Sequence, residues 1–341
     1  MHGSQLLRQE LDRIVTSLKA FVESGIALIF PSATTPPSAD FIEYPGMCDP
    51  SAAVAITDTL FIVASDEDNV LRVYKRGTSD APQRFDLNSF LRPDDHPEAD
   101  IEGGARIGDR IFWIASHGRN AEGKLRPSRH RLFATRVTVE GNNVTVTPVG
   151  RPYTRLLEDL AQAPALRKYD LDSASKKAPE DTGGLNIEGL AATPQGTLMI
   201  GFRNPIPEGK ALIVSLDNPE QVVDGERATL GTPIELSLNG MGIRSIEYRE
   251  SQARYLIAAG PHNDGGNVSL FDWSGKPSDA AEVIREVQFD GLNPEAMFVY
   301  PGDLTAVQFL SDDGGRKLKG VSCKAMAPTE QRFRGFSREI R

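Results

Sequence analysis

The chain has 341 residues, 39% of them hydrophobic and 25% charged, which is long enough for a large core and ordinary for a globular protein. Its formal net charge of −9 argues against a nucleic-acid surface. The longest early apolar run, Gly25 to Phe30, is too short for a membrane span and follows a charged segment, so neither a secretory signal nor a membrane anchor is read.

Leu7, Leu11, Ile14, Leu18 and Phe21 are spaced as a helix seam, and residues 1–39 are read as an N-terminal helix and lead-in. That helix either docks on the main domain or assembles a homo-oligomer. From residue 40 to 341 the sequence reads as one domain built on a repeat. Its first unit runs Ser51-Ala-Ala-Val-Ala-Ile, then Leu60-Phe-Ile-Val-Ala-Ser, then the polar Asp66-Glu-Asp-Asn. The second starts at Glu102 and reaches Ile111-Phe-Trp-Ile-Ala-Ser and His117-Gly-Arg-Asn. The insert 151–185 follows, with a helix-like stretch and then a polar run. The third unit starts at Glu188 and ends its second strand at Arg203-Asn204, the fourth is placed at Glu247 and His262, and the fifth at Glu295 and Asp312.

Four of the five units share an interval of fifteen residues between these two positions, and the fifth has seventeen. Third apolar runs follow at 70–74, 131–137, 211–216, 268–273 and 321–326. Fourth runs follow near 84–87, 144–149, 233–238 and 283–289. Four short strands per unit is the pattern of a propeller blade. The fold class is therefore all-β: a five-bladed β-propeller, with six blades as the alternative and a helical insert between blades two and three. The stretch from Phe41 to Ser51 resembles the one leading into unit five, so it is expected to complete the last blade and close the ring. The tail 332–340 competes for that place or adds a strand beside it. Cys48 and Cys323 have no metal spacing and read as two free thiols in a reducing cytosol, hence a cytoplasmic protein.

In a blade the first two strands are antiparallel, so the start of one and the end of the other share a face. Ser51, Glu102, Glu188, Glu247 and Glu295 are then expected to converge at one mouth of the central channel. Two carboxylates about 5 Å apart repel by roughly 3 kcal/mol at an effective dielectric of about 20. Such a ring needs protons, arginines or a cation. Oxygen-only donors favour Ca2+, then Mg2+ or Mn2+, and Asp49 could add an oxygen. Repeated glutamates that merely cap neighbouring backbone amides are the plainer alternative. Around the ring, His117 and His262 are candidates for proton transfer, and Arg119 and Arg203 for holding an anion. Asp66, Asn69, Asn120, Asn204 and Asp312 are candidate substrate contacts. The basic loop 123–131 could steer an anionic ligand.

Asp100-Ile-Glu-Gly, Trp113-Ile-Ala-Ser-His-Gly-Arg-Asn, Gly123-Lys-Leu-Arg-Pro-Ser-Arg, Asn186-Ile-Glu-Gly-Leu-Ala and Gly201-Phe-Arg-Asn-Pro resemble the bacterial family called domain of unknown function 3616. The resemblance spans roughly residues 45–325 and implies a propeller without an established activity. More distantly, the Glu-Gly-Leu-Ala step is similar to esterase-like phytase and calcium-dependent nucleotidase propellers, which implies Ca2+ near the axis and phosphoester chemistry. The expectation is a metal-dependent hydrolase of a small anionic ester, with neither nucleic acid nor membrane as partner. The alternative is a non-catalytic binding propeller.

Overall fold

The computed structural model describes residues 41–92, 96–141, 143–263, 267–289 and 291–340. The expected N-terminal helix lies outside the described residues.

The outermost strand of the last blade comes first in the chain, β1 (Ile42–Pro45). Blade one is β2 (Pro50–Ala55), β3 (Leu60–Ser65), β4 (Val70–Lys75) and β5 (Gln83–Asp86). Blade two is β6 (Ile101–Ile107), β7 (Arg110–Ala115), β8 (Leu132–Glu140) and β9 (Asn143–Tyr153). Blade three is β10 (Asn186–Ala192), β11 (Leu198–Asn204), β12 (Ala211–Leu216) and β13 (Ile234–Leu236). Blade four is β14 (Gly242–Arg249), β15 (Arg254–Gly260), β16 (Ser269–Trp273) and β17 (Glu282–Ile284). Blade five starts with β18 (Pro294–Phe298) and β19 (Ala306–Ser311). A small hairpin follows, β20 (Lys317–Leu318) and β21 (Val321–Ser322), and then β22 (Arg332–Glu339), which lies between β19 and β1. All strand pairs within the blades are antiparallel.

The inner strands β2, β6, β10, β14 and β18 each touch the next, and β18 returns to β2, so the ring is closed. Each gap between blades is filled by its own hydrophobic cluster. Trp113 and Ile62 lie between blades one and two, and Phe202 and Ile114 between two and three. Trp273 and Ile213 lie between three and four, and Phe309 and Leu256 between four and five. Burying one such side chain contributes about 1.5–3 kcal/mol. The seam between blades five and one is aromatic: the Tyr44 ring stands 5.2 Å from Phe61 and 5.3 Å from Phe333. Closure by β1 follows the sequence reading, and of the two places left open for the tail it takes the one beside β1, as third strand of the blade.

Two expectations fail here. Residues 321–326 are not the third strand of blade five; they form the small hairpin and the turn Cys323–Ala325, and β22 takes the ladder. Nor are the cysteines free. Cys48 and Cys323 form a disulfide that ties the segment after β1 to this hairpin, which removes the thiol argument for a reducing cytosol. Among the described residues no helix is long and apolar enough to cross a membrane.

Between blades two and three the chain forms a helix, Leu156–Gln162, a 3-10 turn, Pro164–Tyr169, and a short helix, Leu171–Ala174. Leu156, Leu160, Leu166 and Leu171 pack into the core between those blades.

Candidate functional site

Each inner strand breaks its ladder at its start, once in four of the blades and twice in β10, where a second irregularity lies between Asn186 and Ile187. The register slips by one residue at Ser51, Glu102, Glu188, Arg244 and Glu295. A bulge leaves its extra residue unpaired and re-aims the side chain. These five side chains meet at one mouth of the channel.

The fourth member is Arg244, and not Glu247 as expected. Glu247 pairs normally with Leu256 and sits three residues further along β14, beside a different cavity. Arg244 reaches between two neighbours: Nη2 donates to Glu295 Oε1, and Nε lies 3.7 Å from Glu188 Oε2. Its stem crosses Gly260, where a Cβ would stand 2.8 Å from Arg244 Cδ, so only glycine leaves it room. Glu188 also accepts from Arg203 Nη1 at 2.7 Å and from Asn186 Nδ2 at 2.9 Å. Ser51 is not aimed at an ion; its hydroxyl donates to Ile101 O on the next blade.

Blades three and four are thus neutralised by arginine, while blades five, one and two remain acidic. Asp49, Asp66 and Glu67 each place a carboxylate oxygen within 4.8 Å of the others. Asp49 is 4% exposed; burial, a hydrogen bond with Asp312 and the charge of Asp312 push its carboxyl up to about 8. Burial, then Asp49 and Glu295, holds Asp66 well above the usual carboxylate range, and its buried Oδ1 has no hydrogen-bond partner. Asp49 Oδ1 also lacks one, its nearest cation being Lys324 Nζ at 3.5 Å. Glu102 keeps some surface open to the channel. Burial, followed by Asp100, Glu188, Asp66 and Glu295, still holds it well above its usual range. For Glu295, burial outweighs the help of Arg244 and lifts the carboxyl to about 7. Asp312 accepts from Gly314 N at 2.8 Å and Asn293 Nδ2 at 3.3 Å. Burial works against the charge of Lys324, yet Asp66, Glu67 and Asp49 hold its ammonium above the usual lysine range.

Behind this group, burial raises Asp100 to about 6, against the pull of Arg129 Nη1 at 3.0 Å. Asp313, next to Asp312, is the contrast. Arg334 donates to both its oxygens, at 2.6 and 2.8 Å, and Ser311 adds a third bond. It is an anchor with no capacity left. Counted together, the mouth holds eight carboxyls (Asp49, Asp66, Glu67, Asp100, Glu102, Glu188, Glu295, Asp312) against Lys324, Arg129, Arg203 and Arg244. That surplus of four carboxyls adds mutual repulsion to burial, and the two together outweigh pairing.

The remaining expected residues do other work. Asn69 spends its amide on Asn88, Pro97 O and Ala99 N. Asn120 closes its own turn by bonding Lys124 N at 2.7 Å. Arg119 Nε donates to Ser175 O at 2.9 Å, and Asn204 Nδ2 donates to Pro179 O and Asp181 O at 2.7 Å. Those two side chains tie the insert to this face of the propeller. Arg203 grips the loop after β15 through Pro261 O and Asn263 O as well as Glu188.

His117 is 1% exposed. Its Nδ1 lies 2.8 Å from Ala115 O, its ring is parallel to His130 at 5.8 Å, and its Nε2 has no partner. Burial, then His130, drives its pKa down to about 3, so the imidazole is neutral. His262 lines a separate cleft of about 490 Å³ beside the insert. In the basic loop, Arg129 and Arg131 turn inward, to Glu98 and Asp100 and to backbone carbonyls respectively.

Arg244, Glu67, Asp100 and Lys324 were not in the expected set. The sequence did carry a signal for Arg244. Asp49-Pro-Ser, Asp100-Ile-Glu, Asn186-Ile-Glu, Gly242-Ile-Arg and Asn293-Pro-Glu share a tripeptide pattern that aligns all five bulges. Lys324 left none, because a disulfide brings it there.

Fold and site together define a five-bladed β-propeller with a carboxylate-rich channel mouth. The chain belongs to the family described as protein of unknown function DUF3616, whose model matches residues 49–145 and 145–298. No curated protein matches it. Among solved structures it is similar to glutaminyl cyclase of Myxococcus xanthus, at 13% identity over 89% of this chain and 97% of that one, with a TM-score of 0.42. It is also similar to the PQQ-bound aldose sugar dehydrogenase of Streptomyces coelicolor, at 8% identity over 89% and 100%, with a TM-score of 0.41. Likeness at this level carries nothing about activity.

Proposed function

We propose that the protein is a metal-dependent hydrolase of a small anionic ester, foremost a phosphoester, working at the carboxylate-rich mouth. The observation that carries this reading is the surplus of carboxyls there, with the buried atoms Asp49 Oδ1 and Asp66 Oδ1 left without partners. A divalent cation resolves that surplus. Its donors would be Asp49, Asp66 and Glu67, joined by Glu102 and Asp312 directly or through water. An all-oxygen set with no thiol or imidazole suits Ca2+ first, then Mg2+ or Mn2+. When bound, such an ion polarises an ester oxygen and lowers the pKa of a coordinated water.

The protein's own groups have distinct tasks. Arg244 and Arg203 keep Glu188 and Glu295 in place and neutralise the far side of the mouth, so that an anion entering beside the cation meets less repulsion there. Asp100, near 6, is better suited to hold and release a proton than His117, which is neutral and sealed off. His262 belongs to the insert cleft and is left out of the chemistry.

One observation favours a second reading, a binding propeller without chemistry: arginine already occupies two fifths of the mouth. Calorimetric titration of chelator-stripped protein with Ca2+, Mg2+ and Mn2+, followed by a phosphoesterase and esterase panel, separates the readings. The hydrolase requires cation binding, turnover that stops on chelation, and loss of both in Asp66→Asn. Cation binding without turnover of any substrate leaves the binder. Absence of cation binding sinks both the centre and the hydrolase.

A further inference from the structure

The inner strands run away from the acidic mouth and end at the opposite one. There the five blades enclose another cavity, of about 680 Å³. Val54, Ala105 and Ala192, from blades one, two and three, give it apolar walls. Facing them are Glu247 from blade four and Val299 and Tyr300 from blade five.

Most polar groups of this cavity are already engaged. Arg106 donates to Gly108 O at 2.9 Å and Ile56 O at 2.6 Å. Thr193 bonds Thr197 at 2.7 Å, Ser251 bonds Leu304 O at 3.0 Å, and Asp303 holds Arg76 at 2.9 Å. Two groups are not. Glu247 accepts a single long bond from Val299 N, at 3.3 Å, and no cation pairs with it among the described residues. The Tyr300 hydroxyl is buried and has no partner. Glu250 adds a further carboxylate at the exposed rim.

We propose that this second cavity binds a small organic cation, a protonated amine with an alkyl body, with Glu247 as its counter-ion. A half-buried carboxyl without a cation partner among the described residues, an unused phenol and small apolar walls offer one charge contact, one hydrogen bond and an apolar surface for an alkyl body. A metal ion would find too few oxygens here. An anion would meet the carboxyls of Glu247, Glu250 and Asp303 against Arg106, whose guanidinium is committed to backbone carbonyls.

The protonation of Glu247 makes binding pH-dependent with a definite sign. Burial raises its carboxyl to about 8, and the bond from Val299 N offsets this only in part. The titratable or charged groups lining the same space are Arg106 on β6, Tyr248 on β14, Glu250 after β14, and Tyr300 and Asp303 after β18. Near neutrality the empty cavity holds a neutral acid. An entering ammonium group must displace its proton, so affinity rises as pH rises towards about 8, by up to about tenfold per unit.

Calorimetric titration of the full chain with n-butylamine, putrescine and spermidine, with n-butanol as neutral control, tests the proposal. At least one amine is expected to bind at about pH 8, with affinity lower by tenfold or more at about pH 6. In Glu247→Gln the affinity is expected to fall at least about tenfold, with the melting temperature at about pH 8 equal or higher and the Ca2+ titration of the acidic mouth unchanged. If no amine binds, if n-butanol binds as well, or if Glu247→Gln binds as wild type does, the proposal is overturned. The Ca2+ titration reports on the other mouth, so failure here is distinguishable from failure there.

Discussion

At the scale of single residues, the mouth depends on which side chain occupies each bulge. Arg244 is 5% exposed and stands between Glu188 and Glu295, so removing its charge leaves both carboxylates buried and less compensated. Breaking such an arrangement costs about 3–5 kcal/mol. Arg244→Met is therefore expected to lower the unfolding free energy by about that amount at pH 8 in denaturant titrations. The loss should shrink at about pH 5, where Glu295, already lifted to about 7, takes a proton. An equal loss at both pH values would contradict the ion-pair reading. Asp66→Asn should act in the opposite sense. Asp66 has a raised carboxyl and an unpartnered oxygen, so the neutral amide is expected to raise the unfolding free energy at pH 8 without metal. The same variant should weaken cation binding by at least about tenfold. Stability and affinity both falling would mark Asp66 as structural. The sequence located Glu102, Glu188 and Glu295 because a glutamate before a small-residue inner strand stands out. It misplaced the fourth member because Glu247 happens to lie fifteen residues before His262. That coincidence of spacing outweighed the tripeptide pattern that marks the bulge.

At the scale of elements, long-range links decide what local pattern cannot. The repeat spacing was legible because each inner hairpin is a local structure: two short apolar strands and a tight turn. The third strand of blade five was not. Val321 begins an apolar run in sequence but is exposed in a hairpin, and β22, some ten residues on, takes the ladder position. The hairpin carries Lys324, and the disulfide places Lys324 between Asp49 and Glu67. Gly314 allows this close approach, since a Cβ there would stand 1.9 Å from Asp49 Oδ1. Native protein purified without reductant is expected to show no titratable thiol, and two after denaturation and reduction. Two thiols in the native oxidised protein would contradict the link. Cys48→Ser should cost about 2–5 kcal/mol in unfolding free energy. The insert is held in the same long-range way. Arg119 and Asn204, whose residue types suggest ligand contacts, instead bond insert carbonyls, Arg119 also reaching Gly123 O. Their roles depend on where the insert lies, and spacing along the chain does not encode that.

At the scale of the whole molecule, closure and charge are linked. A five-blade ring brings five strand starts to one small mouth, and the sequence places an excess of acid there. Five blades, the strand order of the first four and closure by the strand before blade one were readable, because they rest on repetition. The split of the mouth into an arginine side and a carboxylate side was not, because it arises from contacts between blades. The same geometry creates the opposite cavity. Several mouth carboxyls have folded values above their unfolded ones: Asp100 near 6, Glu295 near 7 and Asp49 near 8. A group raised on folding contributes stability that is fully present below its unfolded pKa, about 4, and is lost as pH rises through the folded value. The metal-free protein is therefore expected to be more stable at about pH 5 than at about pH 8. A cation bound by the ionised carboxylates should reverse this.

Thermal unfolding at pH 5 and pH 8, with chelator and then with millimolar Ca2+, Mg2+ or Mn2+, tests the centre most directly. With chelator the melting temperature should fall from pH 5 to pH 8. At pH 8 one of these ions should raise it by about 5 °C or more, with little effect at pH 5. A melting temperature at pH 8 that no divalent cation moves would contradict a metal centre at this mouth.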